Sequence, residues 1–407
     1  MSAVRSTRLG RPATACLEIY NTMQTLDILE RLIAFPSVSR TSNRELIDYV
    51  TQVLSEVGVT CELAESEDGT RTNLFATIGP QDRPGVMLSG HTDVVPVEGQ
   101  DWNGDPFELR RDGARYYGRG TADMKGFVAC AIRAARLAAG RDLKTPLHLA
   151  LSYDEEIGCV GVRRLLDALG PRSILPALCI VGEPTGLRIA TGHKGKTALR
   201  ATCTGHASHS ALAPEGVNAL HLGADFMACL RARQTVLAAH GARDTAYSVP
   251  YTTLHAGIMQ GGRVLNIVPD HCTLDFEIRN IAADDPAGIV AGLVEDAAQI
   301  TKPYAARHPH VGIEIAETNA YPGLDTAQDA AIVALLRDVT GNAGPAIKVA
   351  FGTEGGLFHH SLGIPTSVCG PGHMAQGHKP NEYIDSYQLE ACDEMLARVL
   401  DRLEVGL

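Results

Sequence analysis

The chain has 407 residues, 45% hydrophobic and 20% charged, the composition of a globular protein with room for two to three domains at roughly 100 to 200 residues each. Lys and Arg total 36 against 47 Asp and Glu, a formal charge of −11 with no dense basic run, so nucleic acid is not an expected partner. No stretch approaches the ~20 apolar residues of a membrane span, and a soluble protein is expected.

The first seventeen residues carry Arg5, Arg8 and Arg11, no acid and no apolar signal core, and 1–22 reads as a disordered tail. Thr25 then opens a periodic stretch (Leu26, Leu29, Leu32, Ile33) that stops before Pro36. Asn43 opens another (Leu46, Val50, Val53, Leu54) closed by Gly58, so two amphipathic helices are predicted. Strands at 73–78, 86–89, 147–153 and 178–181 alternate with helices at 124–139 and 160–169, the pattern of an α/β sheet covered by helices. From about Lys194 the order becomes strand 197–204, helix 217–239, strands 252–258 and 272–278, helix 286–300, strand 311–316. That is the βαββαβ order of a ferredoxin-like α+β module. A helix at 327–339, strands at 347–351 and 365–369 and a helix at 386–403 return to the first pattern. The expected organisation is a helix-covered central sheet from 23–193 and 319–407 that carries the site, with the module inserted at 194–318. The ten cysteines show no C-x-x-C pairing and read as reduced core residues of a cytoplasmic protein.

The densest polar signals fall where predicted strands end, the edge at which open α/β sheets hold ligands. In Gly90-His91-Thr92-Asp93, residues two apart on an extended chain share a side, so Asp93 can accept from the ring nitrogen of His91 that a metal leaves free. A polar loop pair is the plainer reading. Gly118 to Gly126 frames one carboxylate, Asp123, at the start of a helix, where capping is the alternative role. Asp154-Glu155-Glu156 follows an apolar strand and by itself suits a solvated turn. Adjacent side chains leave an extended chain in opposite directions, however, so one Glu can bind a metal while its neighbour stays free as a base. Glu183 ends another buried strand, and His373 and His378 lie in a glycine-rich loop, His373 reading as an exposed loop residue.

Charge favours combining these segments around two metals. If Asp123 bridges two divalent ions while Glu156 and Glu183 each bind one, the carboxylates and a hydroxide balance the cations. Without metal, converging carboxylates raise one another's pKa values and resist burial. Imidazole and carboxylate ligands with no thiolate suit Zn2+, with Co2+ or Mn2+ as substitutes.

In this order, Gly90-His91-Thr92-Asp93, Gly120-Thr121-Ala122-Asp123-Met124-Lys125-Gly126, Asp154-Glu155-Glu156-Ile157-Gly158, Gly182-Glu183-Pro184 and Gly377-His378 resemble the dinuclear-zinc aminoacylase and succinyl-diaminopimelate desuccinylase family. Phe351-Gly352-Thr353-Glu354-Gly355-Gly356 is similar to its acetylornithine deacetylase branch, as is Leu265-Asn266-Ile267-Val268-Pro269 leading to Phe276-Glu277-Ile278-Arg279. The resemblance implies that His91 and Glu183 bind one zinc, Glu156 and His378 the other, and that Asp123 bridges, with a cis peptide after it. It implies Glu155 as general base and Asp93 as the partner behind His91. In Gly205-His206-Ala207-Ser208-His209 it implies a histidine supplied across a dimer to the oxyanion. His206 aligns best with the desuccinylases, and His209 with the carboxypeptidase-like members. Arg279 would clasp a substrate carboxylate with its bidentate fork, with Asn266 and Thr353 as further contacts.

The activity so implied is removal of the acetyl group from N2-acetyl-L-ornithine, a step of arginine biosynthesis. The enzyme would be a cytoplasmic homodimer joined through the inserted lid and dimerisation module. Other substrates within the same chemistry are succinyl-diaminopimelate, N-acetylcitrulline, another N-acyl amino acid or a dipeptide. A noncatalytic dimeric binding protein is the reading from a different class, and the free base Glu155 beside a full ligand set counts against it.

Overall fold

The computed structural model describes residues 23–407, and the expected tail at 1–22 lies outside them. Two compact units emerge. One comprises the described residues up to Ala190 with Thr326–Ala346 and Thr353–Leu407; the other comprises Thr191–Asp325 with Ile347–Gly352.

In chain order the elements are α1 (Thr25–Ile33), α2 (Arg44–Ser55), β1 (Cys61–Glu65), β2 (Thr72–Ile78), β3 (Val86–His91), β4 (Arg110–Asp112), β5 (Arg115–Tyr117), α3 (Lys125–Ala139), β6 (Leu147–Ser152), α4 (Val162–Leu169) and β7 (Leu178–Pro184). Next come β8 (Ala190–His193), β9 (Gly195–Thr204), α5 (Ala219–His240), β10 (Thr253–Gly261), β11 (His271–Asn280), α6 (Pro286–Thr301), β12 (Gly312–Tyr321) and β13 (Leu324–Asp325). The chain closes with α7 (Ala331–Thr340), β14 (Ile347–Val349), α8 (Gly355–Leu362), β15 (Thr366–Gly370), β16 (Tyr383–Asp385) and α9 (Ser386–Val405).

The first unit is built on the strand order β1-β2-β6-β3-β7-β15. β1, β2 and β6 pair antiparallel, while β6, β3, β7 and β15 run parallel, so the carboxyl ends of these four share one edge. β3, β6 and β7 are buried along their whole length, as expected of near-continuous apolar strands covered on both faces. α1, α2, α3 and α9 supply Leu29, Ile47, Phe127, Ile132 and Leu396 to that core. Asn43 stands at the cap position of α2, yet its side chain makes no cap bond. It bridges to β2 instead, donating to Thr72 O at 2.9 Å and accepting from Thr72 N at 2.9 Å. Lys125, buried at the start of α3, donates to Leu32 O at 2.9 Å and Phe35 O at 2.8 Å and so ties α3 to the end of α1.

The second unit carries an antiparallel sheet in the order β10-β11-β9-β12, with α5 and α6 completing a βαββαβ succession. β9 and β11 alternate buried and less buried residues, and Leu199, Ala201, Leu274 and Phe276 meet Phe226 and Leu293 in its core. Its boundaries run past the 194–318 expected for the insert because β13 and β14 both pair with β8. Among the described residues no helix is long and apolar enough to cross a membrane.

Candidate metal centre

β3 ends on His91, β6 ends just before Asp154-Glu155-Glu156, and β7 carries Glu183, so parallel pairing alone delivers three of the marked segments to one sheet edge. Gly182 is required there: a Cβ at that position would lie 1.9 Å from the Phe127 ring, which packs against β7. Asp123 precedes α3 but does not cap it, since the cap position is Met124 with no side-chain cap bond. The Asp123–Met124 peptide is cis. The Asp123 loop is held from behind by Glu382, whose Oε1 accepts the N–H groups of Ala122 at 2.9 Å and Asp123 at 3.0 Å. Glu382 Oε2 in turn pairs with the fully buried Arg119 at 2.8 Å.

Asp123 faces two ways. His91 Nε2 lies 3.2 Å from its Oδ1 and 3.7 Å from Glu183 Oε1. His378 Nε2 lies 3.1 Å from its Oδ2 and 2.9 Å from Glu156 Oε2. The ligand atoms of His91, Asp123 and Glu183 all fall within 4.8 Å of one another, as do those of Asp123, Glu156 and His378. His378 reaches this position with φ at 63°, a left-handed conformation uncommon for a residue other than glycine and one that recurs at functional sites.

Glu155 belongs to neither group, and it is buried rather than part of a solvated turn. Cys159 donates to its Oε1 at 3.2 Å, so this thiol contacts the candidate base as well as filling core space. Asp93 departs from expectation. The Nδ1 of His91 bonds the backbone carbonyl of Asp93 at 2.8 Å, while the Asp93 carboxylate stands 3.6 Å off. A donating Nδ1 still leaves the Nε2 lone pair for a metal. The carboxylate accepts instead from Ser39 Oγ at 2.7 Å and from the N–H groups of Glu155 at 3.0 Å and Glu156 at 3.3 Å.

Burial pushes Glu155 up to about 8 and Glu156 up to about 7, with neighbouring acids adding to the effect, and raises Glu183 well above the carboxylate range. Desolvation would lower His91, yet Asp123, Glu183, Asp93 and Glu155 raise it well above the ordinary value. Hydrogen bonds to Asp123 and Glu156 push His378 up to about 10. Desolvation would raise Asp123, and the bonds from His378 and His91 hold it below the usual range. The protons that His91 and His378 carry between these buried acids are what a pair of divalent cations would replace, and metal binding releases protons for that reason. The donor set of imidazole and carboxylate therefore fits two metal ions sharing Asp123.

Sequence reasoning assigns no site role to Arg119, Glu382, Cys159 or Glu354, although Glu354 stands in the motif at 351–356. Glu354 is buried, accepts from Ser89 Oγ at 3.3 Å, and is pushed up to about 7 by burial. Arg119 stands between glycines in the loop before Asp123 and Glu382 lies four residues after His378, and their opposite charges were the available signal.

Residues 87–402 match the family described as Peptidase family M20/M25/M40. The chain belongs to this family. Curated relatives of this M20 member include an acetylornithine deacetylase of Aliivibrio fischeri, 31% identical over 381 residues, covering 92% of this chain and 97% of the relative. Another is the acetylornithine deacetylase of Proteus mirabilis, 32% identical over 384 residues, 92% of this chain and 96% of the relative. Among solved structures, the M20 family metallo-carboxypeptidase Sso-CP2 of Sulfolobus solfataricus superposes with a TM-score of 0.75 at 19% identity, covering 94% of this chain and 100% of that one. Bacillus subtilis YXEP, described as a dinuclear metal binding peptidase of the M20 family, gives 0.68 at 15% identity over 94% of this chain and 98% of its own. At these identities the structural similarity is one of fold.

The remaining marked residues of the M20 chain are differently placed. Thr353 is fully buried, and its hydroxyl accepts Gly355 N–H at 3.0 Å just ahead of α8, whose cap position is Glu354. The other four lie in the second unit. His209 Nδ1 accepts Ala211 N–H at 3.1 Å, and the His206 ring lies tilted against that of His308. Asn266 is exposed, with its carbonyl accepting from Ser210 N–H at 3.0 Å. The Arg279 fork is engaged by Glu277, at 3.0 Å and 3.4 Å, and by Tyr321 Oη at 3.2 Å.

Proposed function

We propose that the chain is a metal-dependent amidohydrolase that removes the acetyl group from N2-acetyl-L-ornithine, releasing L-ornithine and acetate. The observation that carries the hydrolytic reading is the two-sided placement of Asp123, 3.2 Å from His91 and 3.1 Å from His378, beside an uncommitted buried acid, Glu155. The substrate assignment rests on the curated relatives named acetylornithine deacetylase that align along 92% of this chain.

In this reading His91 and Glu183 hold one cation, Glu156 and His378 the other, and Asp123 both. Zn2+ is the proposed metal, with Co2+ as a substitute, since the ligands include imidazole and carboxylate but no thiolate. When bound, such a pair supplies Lewis-acid activation of water and of the amide carbonyl. Glu155 takes a proton from the attacking water at its carboxylate oxygen and returns it to the departing amine nitrogen. Burial raises the proton affinity of the Glu155 carboxylate, the direction that helps an acid accept a proton near neutral pH. Cys159 orients that carboxylate through its 3.2 Å contact, and Asp93 fixes the backbone beneath it.

His206 is proposed to hold the developing oxyanion from across a homodimer formed through the second unit, with His209 as the neighbouring candidate. Arg279 is proposed to bind the substrate carboxylate, which would replace Glu277 on the same fork, with Asn266 beside it. The protein is proposed to work in the cytoplasm.

The test is amine release by the zinc- and cobalt-loaded protein from a panel of N-acyl amino acids and dipeptides, with a chelated control. N2-acetyl-L-ornithine is expected to show the highest kcat/KM. Preference for another panel member overturns the substrate, and absence of chelator-sensitive release from all of them overturns the hydrolase.

A further inference from the structure

A second imidazole cluster lies in the second unit, away in sequence from every residue of the candidate centre. His206 follows β9 and bridges its backbone to Val217, while His308 and His310 flank Pro309 just before β12. The His206 ring centroid lies 4.2 Å from that of His308 and 5.2 Å from that of His310. His206 Nδ1 and His310 Nε2 are 3.3 Å apart. His310 is exposed and the other two are half-buried, so solvent reaches the group.

His308 is lowered from its ordinary value by desolvation and then by the charges of His206, Arg307 and His310. Neutral imidazole is the form that binds transition cations. The nitrogen separation is also informative: two ligands each ~2.0–2.1 Å from a tetrahedral ion stand about 3.3–3.4 Å apart. The 3.3 Å between His206 and His310 matches that span, so a cation can take the place of the shared proton through small rotations of accessible rings.

We propose that His206 and His310 form a further binding site for a divalent transition cation, Zn2+ first, with water completing the coordination and His308 packed against His206. Binding at this site does not depend on the function proposed above. One consequence does rest on that reading: a cation on Nδ1 of His206 would withdraw the residue assigned to the oxyanion, so excess metal would inhibit turnover.

The experiment is calorimetric titration of the fully loaded holoenzyme with Zn2+, with bound metal counted after dialysis, for wild type, His310→Ala and His310→Gln. Wild type is expected to take up an additional equivalent that both variants lose while retaining their original metal. No additional equivalent in wild type, or equal uptake by the variants, overturns the site. Turnover in excess Zn2+ separates the two readings. Inhibition of wild type and resistance of His310→Ala support both; an additional bound equivalent with unchanged turnover supports the site and overturns the oxyanion role of His206.

Discussion

The backbone N–H of Glu155 donates to Asp93 Oδ1 at 3.0 Å, and the same carboxylate takes Glu156 N–H at 3.3 Å. The turn after β6 is therefore fixed by its main chain, which leaves the two adjacent carboxyl groups free to serve different tasks. Glu155→Gln preserves that backbone hold and touches neither ligand group. Metal content should stay at the wild-type level while kcat falls roughly 10²- to 10⁴-fold, the usual contribution of a general base. Metal analysis and steady-state kinetics on one preparation check this, and a variant that keeps most of its turnover removes Glu155 from the base role.

Asp123→Ala should empty both metal sites together, because its two oxygens face different histidines. His378→Ala should weaken one site preferentially, since only the group with Asp123 and Glu156 contains it. Metal counted after dialysis distinguishes the cases. Two tightly held ions in Asp123→Ala would contradict the shared ligand.

Arg119 and Glu382 are both buried, and Glu382 holds the N–H groups of Ala122 and Asp123. Arg119→Met strands a buried charge, for which a cost of about 3–5 kcal/mol is typical. Denaturant unfolding should show that loss, and metal affinity should fall with it as the Asp123 loop loosens. Unchanged stability and unchanged metal binding would show that the pair is not what supports the loop.

His148 gives a pH signature outside the centre. Burial, then the charge of Arg172, lowers its folded pKa to about 4 from an ordinary 6.5. Between those values the unfolded chain binds more protons than the folded one. This contribution to stability is therefore complete above about 6.5 and lost as pH falls toward 4, at no more than about 1.4 kcal/mol per pH unit. His148→Gln should flatten the stability profile in that window. Parallel profiles for variant and wild type would mean His148 is not the titrating group.

Much of the architecture was legible in the chain itself. The helix expected at 124–139 is α3 at Lys125–Ala139, and the strand expected at 147–153 is β6 at Leu147–Ser152. The expected insert at 194–318 compares with a unit at Thr191–Asp325 plus Ile347–Gly352. That short return could not be read from the sequence, because β14 joins by pairing with β8. Local spacing points the Asp93 carboxylate to the His91 ring, but it serves the Glu155-Glu156 backbone while the Asp93 carbonyl serves the ring. Cys159 is buried as its residue type suggests, but its contact with Glu155 depends on the turn after β6 and has no signature in the sequence.

Sequence by itself determined the order of helices and strands, the residue types gathered at strand ends and the marked His, Asp and Glu positions, because periodicity and turn chemistry act over a few neighbouring residues. Only the tertiary structure decided that Asp123 meets His91 through one oxygen and His378 through the other, that Glu382 and Arg119 brace its loop, and that Arg279 is already paired with Glu277. Each of these is a competition among donors and acceptors from distant segments, and its outcome depends on distances that exist only once the sheet has brought those segments together.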